Sequence, residues 1–441
     1  MLPETELHSQ THTKALFDEE HQFIAPGLQT IALLSELAIE RGIGATLIDL
    51  DGRTYLDLNA GVSVASLGHS HPRYVAALTK QLEAVSVGSF TSRPRAELVK
   101  LIAELVPGEL NRTQFFSSGA EAVEAGIRLA RSYTKRTDIV GFTCGFHGKT
   151  AGVLPLSDVD WKNLVGPLPT GYHIAPYADP TRFAGSEEEC REHTIKDLRK
   201  VIEKDVAGRP AAIVIEPIQG TAGNIVPPPG FLREVHDVAH EYGALLIADE
   251  MITGFGRTGG MFGCNRDNVV PDVMTLGKGM ASGFPVSALV STDEIMAAKP
   301  FSLPSASSSS YGGNPLAAAA ALVTIRTILA DKLVENSARV GAILRDGLHA
   351  LAERHRSIAD VRGEGLLVGF DLVSDSKSKT LLAKEKCIRF FKDCLAEGLI
   401  MMSYTPRVRV HPPLILSAEQ AASALAIIDH ALGRLEGENS D

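Results

Sequence analysis

Ala211-Ala212-Ile213-Val214-Ile215-Glu216 and Ala244-Leu245-Leu246-Ile247-Ala248-Asp249 are two continuous apolar runs, each closed by a carboxylate. Such runs suit parallel strands buried on both faces. Between them, Phe231–Tyr242 has the apolar spacing of a helix. Strand, helix, strand is a crossover unit, and it implies a doubly wound, mostly parallel sheet.

The pattern repeats outward from there. Thr113–Ser117 reads as a short strand, and Glu121–Thr134 as a helix with Val123, Ile127, Ala130 and Arg131 about one turn apart. Asp138–Phe142 and Asp272–Leu276 read as further strands. Ala45–Leu58 looks like two short strands around a turn at Asp51-Gly52. Near residue 315 the character changes. Asn314–Leu329 is Ala-rich and helical, and Lys332–His355 continues as a long amphipathic helix. Strand-like Gly365–Leu372, helical Lys384–Glu397 and a last helix over Ala418–Leu435 follow. The chain has 441 residues, and single cores stop growing at roughly 250–300. The expected architecture is α/β in three parts. Residues 1–60 form a mobile or draped arm and strands that pack with the small domain, 61–320 a large doubly wound domain, and 321–441 a smaller α+β domain. The Ser-rich stretch Ser302–Ser310 reads as a functional loop.

Composition excludes several classes. Apolar residues are 44% and charged residues 22%, which is globular and not disordered. The net charge of −10 does not suit a nucleic-acid binder. No apolar run approaches the roughly 20 residues of a membrane helix. Five scattered cysteines without a CxxC pair read as reduced thiols, with no metal site. The polar, acidic N-terminus lacks the layout of a secretion signal, so a cytoplasmic location is expected.

Four features carry chemistry. Ser117-Ser118-Gly119-Ala120-Glu121 stands between a strand and a helix, where backbone N–H groups and the helix dipole suit a phosphate. The same residues also read as an ordinary cap, with Ser118 and Glu121 as a capping box. Asp249 ends a buried strand at the edge where α/β ligands bind, and a carboxylate there can hold a cationic ring nitrogen. Lys278, in Leu276-Gly277-Lys278-Gly279, has the accessibility a Schiff-base lysine needs, although a solvated turn reads from the same residues. Arg409, in Val408-Arg409-Val410-His411-Pro412-Pro413, is a strand guanidinium that needs a carboxylate, from a substrate or from a structural ion pair. A phosphate cradle, an acid for a ring nitrogen and a reactive lysine together describe pyridoxal 5′-phosphate (PLP).

The sequence resembles the class III, or ω-, aminotransferases of the fold-type I PLP-dependent enzymes over roughly residues 25–435. The matching strings run in the family's order: Gly68–Pro72 (GHSHP), Phe115–Glu124 (FFSSGAEAVE), Gly145–Thr150 (GFHGKT), Ile215–Gly220 (IEPIQG), Ala248–Gly259 (ADEMITGFGRTG), Leu276–Gly279 (LGKG), Tyr311–Leu316 (YGGNPL) and Arg409–Leu414 (RVHPPL). The resemblance implies that Lys278 carries PLP and shuttles a proton, and that Asp249 pairs with the ring nitrogen. Gly119 and Ala120, with Ser118 nearby, would take the phosphate. Phe146 would stack on the ring beside His147. Glu216 and Glu250 would support the ring site, with Ile252 near the ring hydroxyl. Ser310, where the family usually has Thr, would reach the phosphate of a neighbouring subunit. The active unit would then be a homodimer or a larger assembly, with the site shared between subunits. Arg409 would take the substrate carboxylate, with Thr221 and Val62 at the substrate site. Relatives acting on γ-aminobutyrate, ornithine or acetylornithine commonly carry Glu where this chain has Thr221, and Gln where it has Ile252. Thr with Ile looks more like the amine–pyruvate branches. The implied activity is transfer of an amino group from an amine or ω-amino acid to a 2-oxoacid, pyruvate favoured. A glutamate-linked aminotransferase, a decarboxylating transaminase, an aminomutase and a non-catalytic PLP-binding scaffold are the alternatives.

Overall fold

The computed structural model describes residues 11–206, 209–375 and 377–437. Its centre is a seven-stranded sheet. The strands in chain order are β1 (Arg112–Phe116), β2 (Ile139–Phe142), β3 (Tyr172–Ala175), β4 (Ala212–Ile215), β5 (Leu245–Asp249), β6 (Val273–Leu276) and β7 (Ser287–Ser291). The spatial order is β1-β7-β6-β5-β4-β2-β3. From β3 to β6 every pairing is parallel, and β4, β5 and β6 are buried along their whole length. This is why their sequences are continuous apolar runs instead of alternating ones.

β7 is antiparallel to both β1 and β6. β1 therefore runs the same way as β6, and its C-terminal end lies at the same sheet edge. The residues after β1, β2, β4, β5 and β6 open onto that edge, so Ser117, Gly145–Gly148, Glu216, Asp249 and Lys278 gather there. The helix Gly119–Thr134 (α1) begins at that edge behind a complete capping box. Ser118 Oγ accepts from Glu121 N–H, and the Glu121 carboxylate accepts from Ser117 N–H and Ser118 N–H.

The helix Pro315–Ala330 is buried on nearly every side, which its Ala-rich, almost uncharged sequence requires. It leads into Leu333–Arg354 and then an antiparallel sheet of Ile358–Glu364, Leu367–Asp375 and Arg407–Val410. Near the N-terminus, Ile39–Ile43, Thr46–Asp49 and Thr54–Asp57 form a meander, and Thr54–Asp57 pairs in parallel with Leu399–Ile400. The expected mobile or draped arm is draped where it is described. Its first ten residues lie outside the described residues, but His12–Glu20 is a helix, capped by Thr11 and held by Asp51, which accepts from His12 N–H at 3.0 Å. Among the described residues no helix is long and apolar enough to cross a membrane, and all five cysteines are free.

Candidate active site

A cavity of about 290 Å³ opens at the C-terminal edge of the sheet. Gly119, Ala120, Phe146, His147, Asp249 and Lys278 all line it. The cap and the anion cradle, two readings of one motif, are both present. The capping box engages Glu121 N–H, and Gly119 and Ala120 hold the remaining N–H donors of the first turn. Gly148 has φ of +125°, and a Cβ there would meet the Ala120 Cβ at 2.5 Å, so only glycine lets the Phe146 loop close on this helix end.

Asp249 lies at the floor, 2% exposed. His147 Nδ1–H donates to Asp249 Oδ2 at 2.7 Å, while Asp249 Oδ1 accepts from Thr275 Oγ1 at 3.0 Å and Met251 N–H at 3.2 Å. Burial acts to raise the Asp249 pKa, but His147 and Lys278 outweigh it and hold it below the ordinary carboxylate value. Burial likewise acts to lower His147, and Asp249 holds it above its ordinary value. The result is a buried carboxylate–imidazolium pair with the negative charge toward the cavity.

Lys278 has φ of +42°, and its flanking glycines serve close packing. A Cβ on Gly277 would meet Met251 Sδ at 2.6 Å, and one on Gly279 would meet Ser66 Oγ at 2.6 Å. Lys278 is thus half-buried, not the open ammonium its glycines suggest. Burial lowers its pKa, Arg409 adds to this, and Asp249 and Glu216 act upward.

Glu216 ties two loops together, accepting from Phe146 N–H at 2.9 Å and Gly220 N–H at 3.1 Å. Glu250 has its oxygens turned into the core. It accepts from Thr253 Oγ1, from Gly263 N–H at 2.8 Å and from Cys264 N–H at 2.7 Å. Glu250→Ala leaves three buried donors unpaired and is expected to cost about 3 kcal/mol or more. Thermal melting checks this, and Glu250→Gln is expected to lose less because its carbonyl still accepts.

Ser118, Glu216 and Glu250 stand behind the cavity wall, and five further expected site residues stand off it. Ile252 packs with Ile218, Leu367 and Val226, under Gly220, where a Cβ would meet Ile252 Cδ1 at 2.5 Å. Val62 packs toward the Tyr55 and Ile400 cluster, and Val64 lines the cavity instead. The reason is a left-handed run, with φ of +48°, +62°, +66° and +66° at Ala60, Gly61, Val62 and Ser63, which rotates the side chains off the expected positions. Thr221 is exposed on the turn after Gly220, and Ser310 is exposed on the surface beside Glu121 and Arg128. Arg409 lies on Arg407–Val410, half-buried, and burial lowers its pKa against an upward contribution from Tyr404. Sequence reading missed Met251 and Gly283–Val286 as lining residues. It also missed Thr275, whose role follows from its pairing with Asp249 in the parallel ladder.

The donor set fits one kind of ligand, a flat ring with a cationic nitrogen at Asp249, a phosphate at the α1 N-terminus and a carbonyl within reach of Lys278. Fold and site together define a PLP-dependent transferase of fold type I. The chain belongs to the class-III aminotransferase family, whose model matches residues 31–432. It is 35% identical to an acetylornithine aminotransferase of Methanopyrus kandleri over 394 residues, covering 89% of this chain and 93% of the relative. It is 35% identical to a 4-aminobutyrate aminotransferase of Mycobacterium leprae over 435 residues, covering 92% and 96%. Among solved structures, an (S)-enantioselective ω-transaminase of Thermomicrobium roseum superposes with a TM-score of 0.88 at 31% identity, covering 96% of this chain and 98% of that one.

Proposed function

We propose that this aminotransferase moves an amino group from an amine or ω-amino acid to a 2-oxoacid, pyruvate favoured, in two half-reactions that alternate on one cavity. The observation that carries the reading is Arg409. Arg407, on the same strand, shows a structural arginine, with an ion pair to Asp179 at 3.0 Å. Among the described residues no carboxylate lies within ion-pair distance of Arg409, while its charge reaches Lys278. A half-buried guanidinium without a counter-ion is a seat for a substrate carboxylate.

PLP, when bound, supplies the carbonyl that takes the amine and the electron sink that lets the adjacent C–H ionise. The chain supplies the rest. Gly119 and Ala120 N–H would hold the phosphate. Asp249, whose pKa His147 helps to lower, would hold a proton on the ring nitrogen. Lys278, whose pKa burial lowers, would move the proton to and from the substrate carbon. Phe146, on the cavity wall, would lie against the ring.

The visible spectrum of the purified protein tests this reading. The cofactor band is expected to bleach with L-alanine or a simple amine and to persist with L-glutamate. Bleaching with glutamate instead favours the 2-oxoglutarate-linked reading that the acetylornithine and 4-aminobutyrate relatives support. Thr221 discriminates further. Thr221→Glu places a counter-charge on the turn joined to the Arg409 strand, where Arg407 Nη1 donates to Ala222 O at 3.0 Å. We expect the kcat/KM ratio of ω-amino donors over L-alanine to rise about 10-fold, as a gained charge-assisted contact implies. An unchanged ratio removes Thr221 from the account.

The same reading makes the active unit a homodimer. Leu82, Val85, Val87, Phe90, Leu303 and Tyr311 are exposed, Tyr311 beside Ser310, and such apolar exposure supports a contact between copies of the chain. The free thiols support a reducing compartment, the cytoplasm.

A further inference from the structure

Arg407, Arg409 and His411 share one face of their strand, because side chains on a strand repeat every two residues. The outer two are bonded to the same turn, Gln219–Asn224, which crosses in front of them. Arg407 Nη1 donates to Ala222 O at 3.0 Å, and His411 Nε2 lies 2.7 Å from Asn224 Oδ1. Arg409, between them, is tied to no part of that turn, and its side-chain partner, Tyr404, brings no negative charge to compete with a carboxylate. We propose that His411 and Asn224 are a positioning pair that locks the Arg409 strand to this turn and so sets affinity for the carboxylate of the acceptor. The inference rests on the two-substrate reading above and adds to it the residues that place Arg409.

The sequence explains why a lock is needed here. His411 is followed by Pro412 and Pro413, which have no N–H, so the ladder cannot continue past Val410. The strand exit is held by other bonds. His411 N–H donates to Leu58 O at 2.8 Å, and Arg257 Nη1 donates to Pro412 O at 2.5 Å. Of the bonds at the exit, the side-chain bond to Asn224 is the one that reaches the turn, as Arg407 does from the other end of the strand.

The pair is built as a neutral donor and acceptor. Asn224 Nδ2 donates to Val368 O at 2.6 Å, which fixes the amide and leaves Oδ1 as the acceptor. His411 Nε2 therefore carries the proton. The imidazole is fully buried, and burial with the charges of Arg409, Arg257 and Lys278 drives its pKa well below the ordinary value. A neutral ring adds no like charge beside Arg409 and offers no competing anion to it. The other side of the turn is equally fixed. Arg362 Nε donates to Gly223 O at 2.8 Å, Glu216 accepts from Gly220 N–H, and Gln219 Nε2 donates to Thr143 O at 2.8 Å. Loss of the His411–Asn224 bond thus loosens the exit of the strand, beyond the end of its ladder with Leu367–Asp375, and leaves the turn in place. Lys278 and Asp249 sit on other elements and keep their places.

Three variants of the PLP-loaded enzyme test this. His411→Leu removes the donor. Asn224→Gly removes the acceptor without backbone strain, since φ there is +59°, a conformation glycine adopts freely. His411→Gln keeps an N–H at a similar reach. In His411→Leu and Asn224→Gly the KM for pyruvate and the dissociation constant of propionate, measured by calorimetry, are expected to rise about 10-fold or more, the loss of one buried hydrogen bond at a binding strand. The single-turnover rate with benzylamine, which has no carboxylate, is expected to stay within about 3-fold of the parent. His411→Gln is expected to restore propionate binding. A purely structural role predicts equal loss in both half-reactions, and that result overturns the inference, as does unchanged propionate affinity in both variants. The propionate measurement needs no turnover. A parent enzyme that binds propionate but reacts with neither benzylamine nor pyruvate refutes the proposed substrates and leaves the positioning role standing.

Discussion

Lys278→Ala is expected to lose about 10⁴-fold or more in turnover while the protein stays folded. Lys278 is the amine that lines the cavity, and no hydrogen bond or ion pair ties its Nζ to the described residues. Truncation to Ala therefore removes chemistry and leaves the packing of Gly277 against Met251 and Gly279 against Ser66 untouched. The backbone at φ +42° is tolerated by Ala at little more cost than by Lys. A stopped-flow mix with L-alanine is the measurement, with the melting temperature as the control for folding. Methylamine, small enough for the space the side chain vacates, is expected to restore part of the rate. The rescue should grow with pH, as the free-base fraction of the added amine rises. Lys278 in the parent already has a lowered pKa, set first by burial, so the parent's rate should depend less on pH over the same range. Full turnover in Lys278→Ala without added amine removes the lysine from the mechanism.

The sheet was legible because burial on both faces writes itself into the sequence. Ala211–Ile215 and Ala244–Ala248 have no polar residue to spare, and the structure buries β4 and β5 entirely. β7 was less legible. Ser287–Ser291 is fully buried yet begins and ends on Ser, whose hydroxyls donate to backbone carbonyls of Ser118 and Asp272. Nothing local in such a strand marks it as the one that reverses direction. The site divides the same way. Asp249 and Lys278 follow their strands directly, so strand ends locate them. Val62 and Ile252 do not, because a left-handed run and a turn packed on Gly220 decide which way those side chains face. Arg407 and Arg409 look alike in sequence. Only the placement of Asp179, from a distant loop, makes one of them structural, while Arg409 has no carboxylate partner among the described residues.

Asp249→Asn is expected to lower turnover about 10³-fold or more, with KM for the oxoacid little changed. The substitution is isosteric. The Asn carbonyl can still accept from Thr275 and Met251, so shape is kept and charge is lost. Charge is what a ring nitrogen needs, since a neutral amide cannot hold a proton there. The effect on His147 gives a second readout. In the parent, Asp249 holds the buried imidazole above its ordinary pKa. Remove that carboxylate and burial is opposed only by Glu216, so the imidazole shifts toward its neutral form. The two groups have opposite linkage signs. Asp249 is depressed, so its stabilisation is present above the unfolded carboxylate pKa and is lost as pH falls through the lower folded value. His147 is raised, so its stabilisation is present below the unfolded imidazole pKa and is lost as pH rises through the higher folded value. The pair therefore stabilises the fold between those limits. Asp249→Asn should flatten the melting temperature against pH at both ends of that window. A variant that keeps the parent's pH profile and loses only activity would show that His147 draws its proton from elsewhere. Glu216, whose charge also raises His147, is then the group to substitute.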